Sequence, residues 1–325
     1  MVIISHNIIC KGDRMRKSIA LSTTRGLVAA ASALALLGVA ACGTDSEEPA
    51  AESIVVTDAT GTTVTLEGPA GRIACLTMIC VDALKEVGIT PVAYREDLAL
   101  DERFFGPDAD MRKITGGFGE ENVEDIAMSE PDLVIGLGGV QDGLRAAVEE
   151  SAPLYLVDPS SWEDSVEFLR TVGGLTGKQA VADAAAQSFV ERVETARQKR
   201  SDLTTLSMYG EPGSLGVDSV ETPVGSLLAE VSEYPWPAGT DAFATVSVEQ
   251  IAGVNPDVIF AQAFSSGDDA EPLSARLATN PIWPSIAAAQ NNRVVEVEAS
   301  LWATGRGTVS LGIVLDEVTD ELAQS

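Results

Sequence analysis

A fourteen-residue stretch that occurs twice constrains this chain more than any other feature. Asn122-Val-Glu-Asp-Ile-Ala-Met-Ser-Glu-Pro-Asp-Leu-Val-Ile135 recurs as Ser247-Val-Glu-Gln-Ile-Ala-Gly-Val-Asn-Pro-Asp-Val-Ile-Phe260. Cap, glutamate, isoleucine, Pro-Asp pair and apolar run fall at identical offsets. Each copy reads as a short helix feeding a buried strand. Asn122 and Ser247 are N-cap residues, and Asp125 and Gln250 stand where they can complete a capping box. Pro131 and Pro256 stop the helix. A chain of 325 residues containing such a duplication is expected to fold as two lobes on one plan.

The surrounding pattern agrees. Ile54–Leu66 reads as a two-strand hairpin turning at Gly61. Ile73–Leu76, Pro91–Ala93, Leu133–Leu137 and Leu154–Val157 read as buried strands, with helices at Val81–Val87, Val123–Met128 and Leu144–Glu150. In the second half the strands are Leu215–Val217, Val258–Ala261 and Val294–Val297. The helices there are Pro223–Val231, Val248–Gly253, Leu273–Ala278 and Gly312–Ala323. Between the halves, Lys178–Ser201 has neither Gly nor Pro and reads as one helix of about 35 Å at ~1.5 Å per residue. The expected architecture is α/β: two Rossmann-like lobes with mainly parallel sheets, joined by one long bridging helix, with a ligand cleft between them. The expected divisions are an N-terminal lobe 54–160, a connecting segment 161–201 and a C-terminal lobe 202–325.

Residues 1–41 read as an export signal. Lys11, Arg14, Arg16, Lys17 and Arg25 flank an apolar run, Leu27–Ala41, that is too short to span a membrane. The run ends in Val39-Ala40-Ala41-Cys42, which resembles a bacterial lipobox, so Cys42 is expected to be lipidated and to anchor the chain. A plain cleaved signal is the alternative, and Met15 is a second candidate start. Residues 42–53 form an acidic tether.

Cleavage would remove five basic residues and one acidic residue, leaving 16 basic and 48 acidic residues, a net charge of −32. Nucleic acid is excluded as a partner by that field. The charge suits solubility at the cell envelope or a cationic ligand. His6, the single histidine, would be lost as well, so neither a Ser-His-Asp triad nor a histidine-rich metal site can be assembled. No G-x-S-x-G elbow occurs, and Gly174-Leu-Thr-Gly-Lys-Gln179 lacks the first glycine of a phosphate loop, so no catalytic residue is nominated. Cys75 and Cys80 would be the two cysteines left unmodified. A disulfide, two free buried thiols and a thiolate site are the alternatives for them in an oxidising compartment.

Glu124 and Glu249 fall in the first turns of the duplicated helices. A favourable helix N-terminus explains either one. A charge at the tip of each lobe, docking a symmetric partner, explains both. Phe118 and Phe243 each precede their glutamate by six residues, as a ligand clamp or as staples packing onto their own helices.

These residues, with Gly68-Pro-Ala-Gly-Arg-Ile73, Gly174–Lys178, Asn280-Pro-Ile-Trp283 and Trp302 beside Gly305-Arg306, resemble the substrate-binding lipoprotein of an iron-siderophore, haem or cobalamin ABC uptake transporter, the single-helix-hinged class. The similarity covers Ile54 to Leu322. It implies a protein that is not an enzyme and that works, as an expected monomer, with an ABC permease and its ATPase. It also implies that Glu124 and Glu249 pair with arginines of the permease. Ferric siderophore is the expected ligand, because such chelates bring their own oxygen donors and iron then travels as cargo without a resident cofactor or protein metal site. Haem would require a tyrosine alone, from Tyr94, Tyr155, Tyr209 or Tyr234; cobalamin suits an aromatic clamp. The expected ligand-contacting set is Phe118, Phe243, Trp302, Arg306, Arg95, Arg103 and Tyr209, with Arg112 a further candidate cation. An exported hydrolase and a non-transport surface lipoprotein are the alternatives.

Overall fold

Why the apolar runs become parallel strands is clear from the sheet of the first half. In a computed structural model of the protein, residues 53–96, 98, 103–106, 109–236, 245–262 and 271–324 are described. The described chain opens with an antiparallel hairpin of β1 (Ile54–Thr57) and β2 (Thr63–Leu66), turned at Gly61 with φ +81°. The first lobe then runs β3 (Ile73–Cys75), α1 (Met78–Val87), β4 (Ala93–Arg95), β5 (Arg112–Ile114) and the two-residue strands β6 (Gly116–Gly117) and β7 (Glu120–Glu121). It continues through α2 (Val123–Met128), β8 (Leu133–Leu137), α3 (Arg145–Val148), β9 (Leu154–Val157) and α4 (Trp162–Leu175). The main sheet has the order β5-β4-β3-β8-β9 and is parallel throughout. Every residue of β8 and β9 is buried, as expected of strands covered on both faces.

α5 (Gln179–Arg197) follows α4 after a turn in which Gly177 takes φ +66°. Its 19 residues give about 28 Å at ~1.5 Å per residue, less than the expected 24-residue helix. The helix ends early because residues 198–200 close into turns and the Ser201 N–H is drawn 2.9 Å from the Val231 carbonyl.

The second lobe contains β10 (Thr205–Glu211), β11 (Ser214–Val217), α6 (Pro223–Val231), α7 (Val248–Val254), β12 (Val258–Gln262) and α8 (Leu273–Leu277). After these come α9 (Ala287–Gln290), β13 (Val294–Val297), α10 (Ala299–Trp302) and α11 (Thr308–Leu322). Its sheet order is β11-β10-β12-β13, with only β11 antiparallel. β10 has no counterpart in the sequence reading. Thr205 and Ser207 interrupt its apolar pattern, yet both are fully buried because their hydroxyls bond to Ser232 (2.6 Å) and Asp218 (2.7 Å).

β3-β8-β9 and β10-β12-β13 are the common plan, with the duplicated segment supplying the central strand of each. The residue before each Pro-Asp pair is left-handed without being glycine: Glu130 at φ +47° and Asn255 at +52°. That twist points the following aspartate back at the neighbouring strand. Asp132 accepts from the Gly71 and Arg72 N–H groups (2.8 and 2.9 Å), and Asp257 accepts from the Thr204 N–H (2.9 Å).

The lobes are fused along their base, and Ala50–Ser325 is one compact unit. α1 packs on α11, α4 packs on α6 and α11, and α5 packs on all four. Trp162 meets Phe189 edge-on at 6.1 Å, and its backbone N–H donates to the Ser226 hydroxyl (2.9 Å). Asp82, fully buried in α1, caps α11 of the other lobe. It accepts from the Val309 and Ser310 N–H groups (2.9 Å each) and the Ser310 hydroxyl (2.6 Å). Residue 307 must be glycine there, since a Cβ would lie 2.3 Å from the Asp82 carboxyl carbon. Burial pushes the Asp82 carboxyl up to about 7, against its three donors.

Candidate ligand site

In open parallel sheets, ligands collect beyond the carboxyl ends of the strands. The two sheets here point such ends at each other. Arg103, in the segment after β4, bonds across the lobes to Glu298, the residue after β13, at 2.5 Å. Both partners are substantially exposed.

On the first lobe, Arg95 ends β4 with its side chain buried. Its guanidinium donates to the Leu76 carbonyl (3.1 Å) at the end of β3 and lies 3.5 Å from the Glu121 carboxylate. Glu121 also accepts from Gln141 (2.8 Å) and the Gly119 N–H (3.2 Å), while its second oxygen is buried without a hydrogen-bond partner. Above this cluster the ring of Phe118 covers Arg95 at 4.7 Å, with 53% of Phe118 exposed. The staple alternative therefore fails for Phe118, which packs on a cation and offers its ring to solvent. Cys75 and Cys80 form a disulfide with Cα atoms 5.5 Å apart, buried where β3 passes into α1. It straps the turn that presents the Leu76 carbonyl.

On the second lobe, Tyr209 near the end of β10 lies across Gly216, where an added Cβ would come within 2.2 Å of the ring. Ser207, Asp218 and Gln262 form a polar cluster beside it. Gln262 donates to Ser207 (2.8 Å) and Asp218 (3.1 Å), and its carbonyl oxygen is buried and unpaired. Burial raises the Asp218 carboxyl, while the Ser207 hydrogen bond and the charge of Arg306 oppose the rise. Arg306 is left-handed at φ +58° and partly exposed, and its Nε donates to the Ala303 carbonyl (3.1 Å). A non-glycine residue held this way costs about 1 kcal/mol, and such residues gather at ligand clamps. Arg276 of α8 pairs with Glu211 at the end of β10.

Trp302 does not line this site. It is 1% exposed, stacked on Phe260 at 4.8 Å, with its N–H donated to Glu317 (2.7 Å), so it belongs to the core beneath β12. Arg112, exposed on the edge strand β5, is not part of the cluster around Arg95. Two tyrosines are also removed from consideration as haem ligands. Tyr155 is buried against Phe168, and Tyr234 is buried with its hydroxyl donated to the Asp218 carbonyl (2.6 Å). Phe243, Cys42, the leader 1–41 and tether residues 42–52 lie outside the described residues. Sequence reading missed Glu121, Gln141, Asp218 and Gln262. The buried polar residues flanking strand ends were their only signal.

Glu124 and Glu249 are exposed in the first turns of α2 and α7. The Glu249 carboxyl is lowered by its own backbone N–H and, after it, by a hydrogen bond from the Ser247 side chain. Among the described residues, no group of three or more His, Cys, Asp or Glu is arranged to hold a metal, and no helix is long and apolar enough to cross a membrane. A groove of about 290 Å³ lies between α5 and α11, lined by Ser188, Arg192, Gly312 and Asp316, away from the strand ends.

Two fused lobes with facing strand ends and a duplicated helix-strand unit define a binding protein of the two-lobed α/β class. The chain belongs to the periplasmic binding protein family, which matches residues 73–301. Among its relatives is the Fe(3+) dicitrate-binding periplasmic protein FecB of Escherichia coli (strain K12), 24% identical over 253 residues, 75% of this chain and 82% of that one. The probable siderophore-binding lipoprotein YfiY of Bacillus subtilis (strain 168) is 24% identical over 310 residues, covering 88% and 94%. The petrobactin-binding protein YclQ from Bacillus subtilis has the same fold, with a TM-score of 0.72 at 17% identity over 83% of this chain and 99% of that one.

Proposed function

We propose that this chain is the substrate-binding component of an ABC uptake system for a ferric siderophore, exported and held at the outer face of the membrane by a lipid on Cys42. The chelate enters between the carboxyl ends of the two sheets, with Phe118 as an aromatic platform and Arg95 and Arg306 setting charge preference. Lobe adjustment is small because α1, α4, α5, α6 and α11 share one core across the base. The observation that carries the transport reading is the matched exposure of Glu124 and Glu249 on the duplicated helices, one per lobe. Such a pair suits two arginine sockets on a two-fold permease. The names of the relatives support iron chelates as the cargo.

Titrating the purified body, from Gly43 onward, with ferric siderophores of three chelate classes, haemin and cobalamin tests the reading through intrinsic fluorescence. Saturable sub-micromolar binding of a ferric chelate is the expected result. Binding of haemin or cobalamin alone would overturn the siderophore reading, and silence across the panel would overturn uptake itself.

A further inference from the structure

The two outward glutamates stand at the same offset, but the residues around them do not match. On the first lobe Met128 is 55% exposed and lies one helical turn after Glu124, on the same face of α2. The helix end beneath it is fixed: the buried Ser129 donates its hydroxyl (2.7 Å) and its N–H (3.0 Å) to the Ile126 carbonyl. Met128 is therefore held outward on an anchored turn. On the second lobe the residue four after Glu249 is Gly253, also exposed. A Cβ added there would meet nothing within 4 Å, and the backbone is not left-handed, so the fold itself makes no demand for glycine. Two residues further on the copies differ again. Glu130 is exposed on the first lobe, whereas its counterpart Asn255 accepts from the Ala287 N–H of its own lobe.

Single exposed apolar residues are ordinary on any surface. Met128 is set apart by its place: it adjoins one of two equivalent charges, where the other has bare backbone. Its side chain is flexible and polarisable, of the kind that fills irregular contact surfaces. Resting on the docking role of Glu124 and Glu249 proposed above, we infer that the two lobes dock on unlike permease surfaces. The first meets a half with an apolar socket beside its arginine; the second meets a half with a flat, close-fitting surface beside its arginine. The protein then seats in one orientation only, and the two-fold symmetry of its partner is approximate. The glutamates supply attraction and register on both sides. Met128 and Gly253 decide which half meets which lobe, because a flat surface rejects the methionine that a socket accepts.

The test uses right-side-out membrane vesicles from the producing cells with their own copy of the chain deleted. Labelled wild-type body, from Gly43 onward, is displaced from them by unlabelled variants. Met128→Ala is expected to displace about tenfold more weakly than the wild type, and Gly253→Met about fivefold more weakly. The exchange variant, Met128→Gly with Gly253→Met, should be weaker than either. On two identical permease halves the exchange variant would turn by half a revolution and dock like the wild type. Wild-type displacement by the exchange variant, or by either single variant, would overturn the inference while leaving docking intact. Undiminished displacement by Glu124→Arg with Glu249→Arg, or the absence of saturable binding, would overturn the docking reading and the inference with it. Circular dichroism verifies that each variant is folded.

Discussion

In the first copy of the duplicated segment, α2 begins at Asn122, whose side chain accepts only from the Glu124 N–H (2.9 Å). Asp125, placed to complete a capping box, turns outward to Thr115 and accepts from its N–H (3.0 Å) and hydroxyl (2.6 Å). That attachment lowers the Asp125 carboxyl. In the second copy, Ser247 and Gln250 close the reciprocal box, with bonds of 3.3 and 2.8 Å. One helix start is self-contained; the other gives up its box to hold the strand pair β6–β7 that carries Glu121 toward Arg95. Identical offsets thus fix the backbone path, while the residue at the third helical position decides whether a helix serves itself or its neighbourhood. The exposed glutamates keep the same place in both copies.

Reversing both exposed charges, Glu124→Arg with Glu249→Arg, tests whether the copies share an outward task. Iron uptake by cells is expected to vanish while chelate affinity stays within about twofold, and each single reversal should weaken uptake comparably. A double variant with lost affinity would make these residues part of the ligand site.

The joint between the lobes should be the most sensitive element for stability. Asp82→Ala leaves the Val309 and Ser310 donors unpaired in the interior and is expected to cost about 3 kcal/mol in chemical denaturation. The pH response has a definite sign. The folded-state pKa, about 7, lies above the ordinary 3.8, so the folded protein holds this proton more tightly. Its contribution is full below about pH 4 and is lost as pH rises through 7. Relative to Asp82→Asn, the wild type should therefore lose on the order of a few kcal/mol between pH 4 and pH 8. A pH-independent difference would mean that the α11 N-terminus keeps Asp82 ionised throughout.

Asp132→Ala should cost about 1–2 kcal/mol and Asp257→Ala about half as much, because the first accepts two backbone N–H groups and the second one. Equal losses by urea denaturation would deny that the number of accepted bonds ranks the copies. Smallest of all, Glu130→Gly should raise stability by up to about 0.5 kcal/mol by relieving a left-handed residue. Asn255→Gly should lower it by a similar amount, since Asn255 also accepts from the Ala287 N–H (2.9 Å). Thermal melts of the two variants shifting in the same direction would contradict this.

Much of the architecture was legible because duplicated helix-strand units advertise themselves through Pro-Asp and apolar runs. α2, α6, β8, β9 and β13 begin and end where the periodicity places them. β10 was not legible, because Thr205 and Ser207 are made compatible with the interior only by partners 27 and 11 residues away. The same physics hid half of the candidate site. Glu121 and Gln141 look like ordinary surface residues until the fold closes a polar cluster around them. Trp302 erred the other way: a tryptophan beside Gly305-Arg306 has the composition of a binding loop, but its partners Phe260 and Glu317 lie 42 and 15 residues distant in the chain and draw it inward.

The Asp82 cap has a consequence for how the molecule is made. The helix that follows β3 is joined to α11 by hydrogen bonds spanning 227 and 228 positions. Contacts of such separation form late. If the chain threads outward amino end first, its leading lobe waits, unlatched, until its final segment has cleared the translocation channel. Export and folding are then successive events, and truncating α11 would leave the emerging first lobe exposed to proteases.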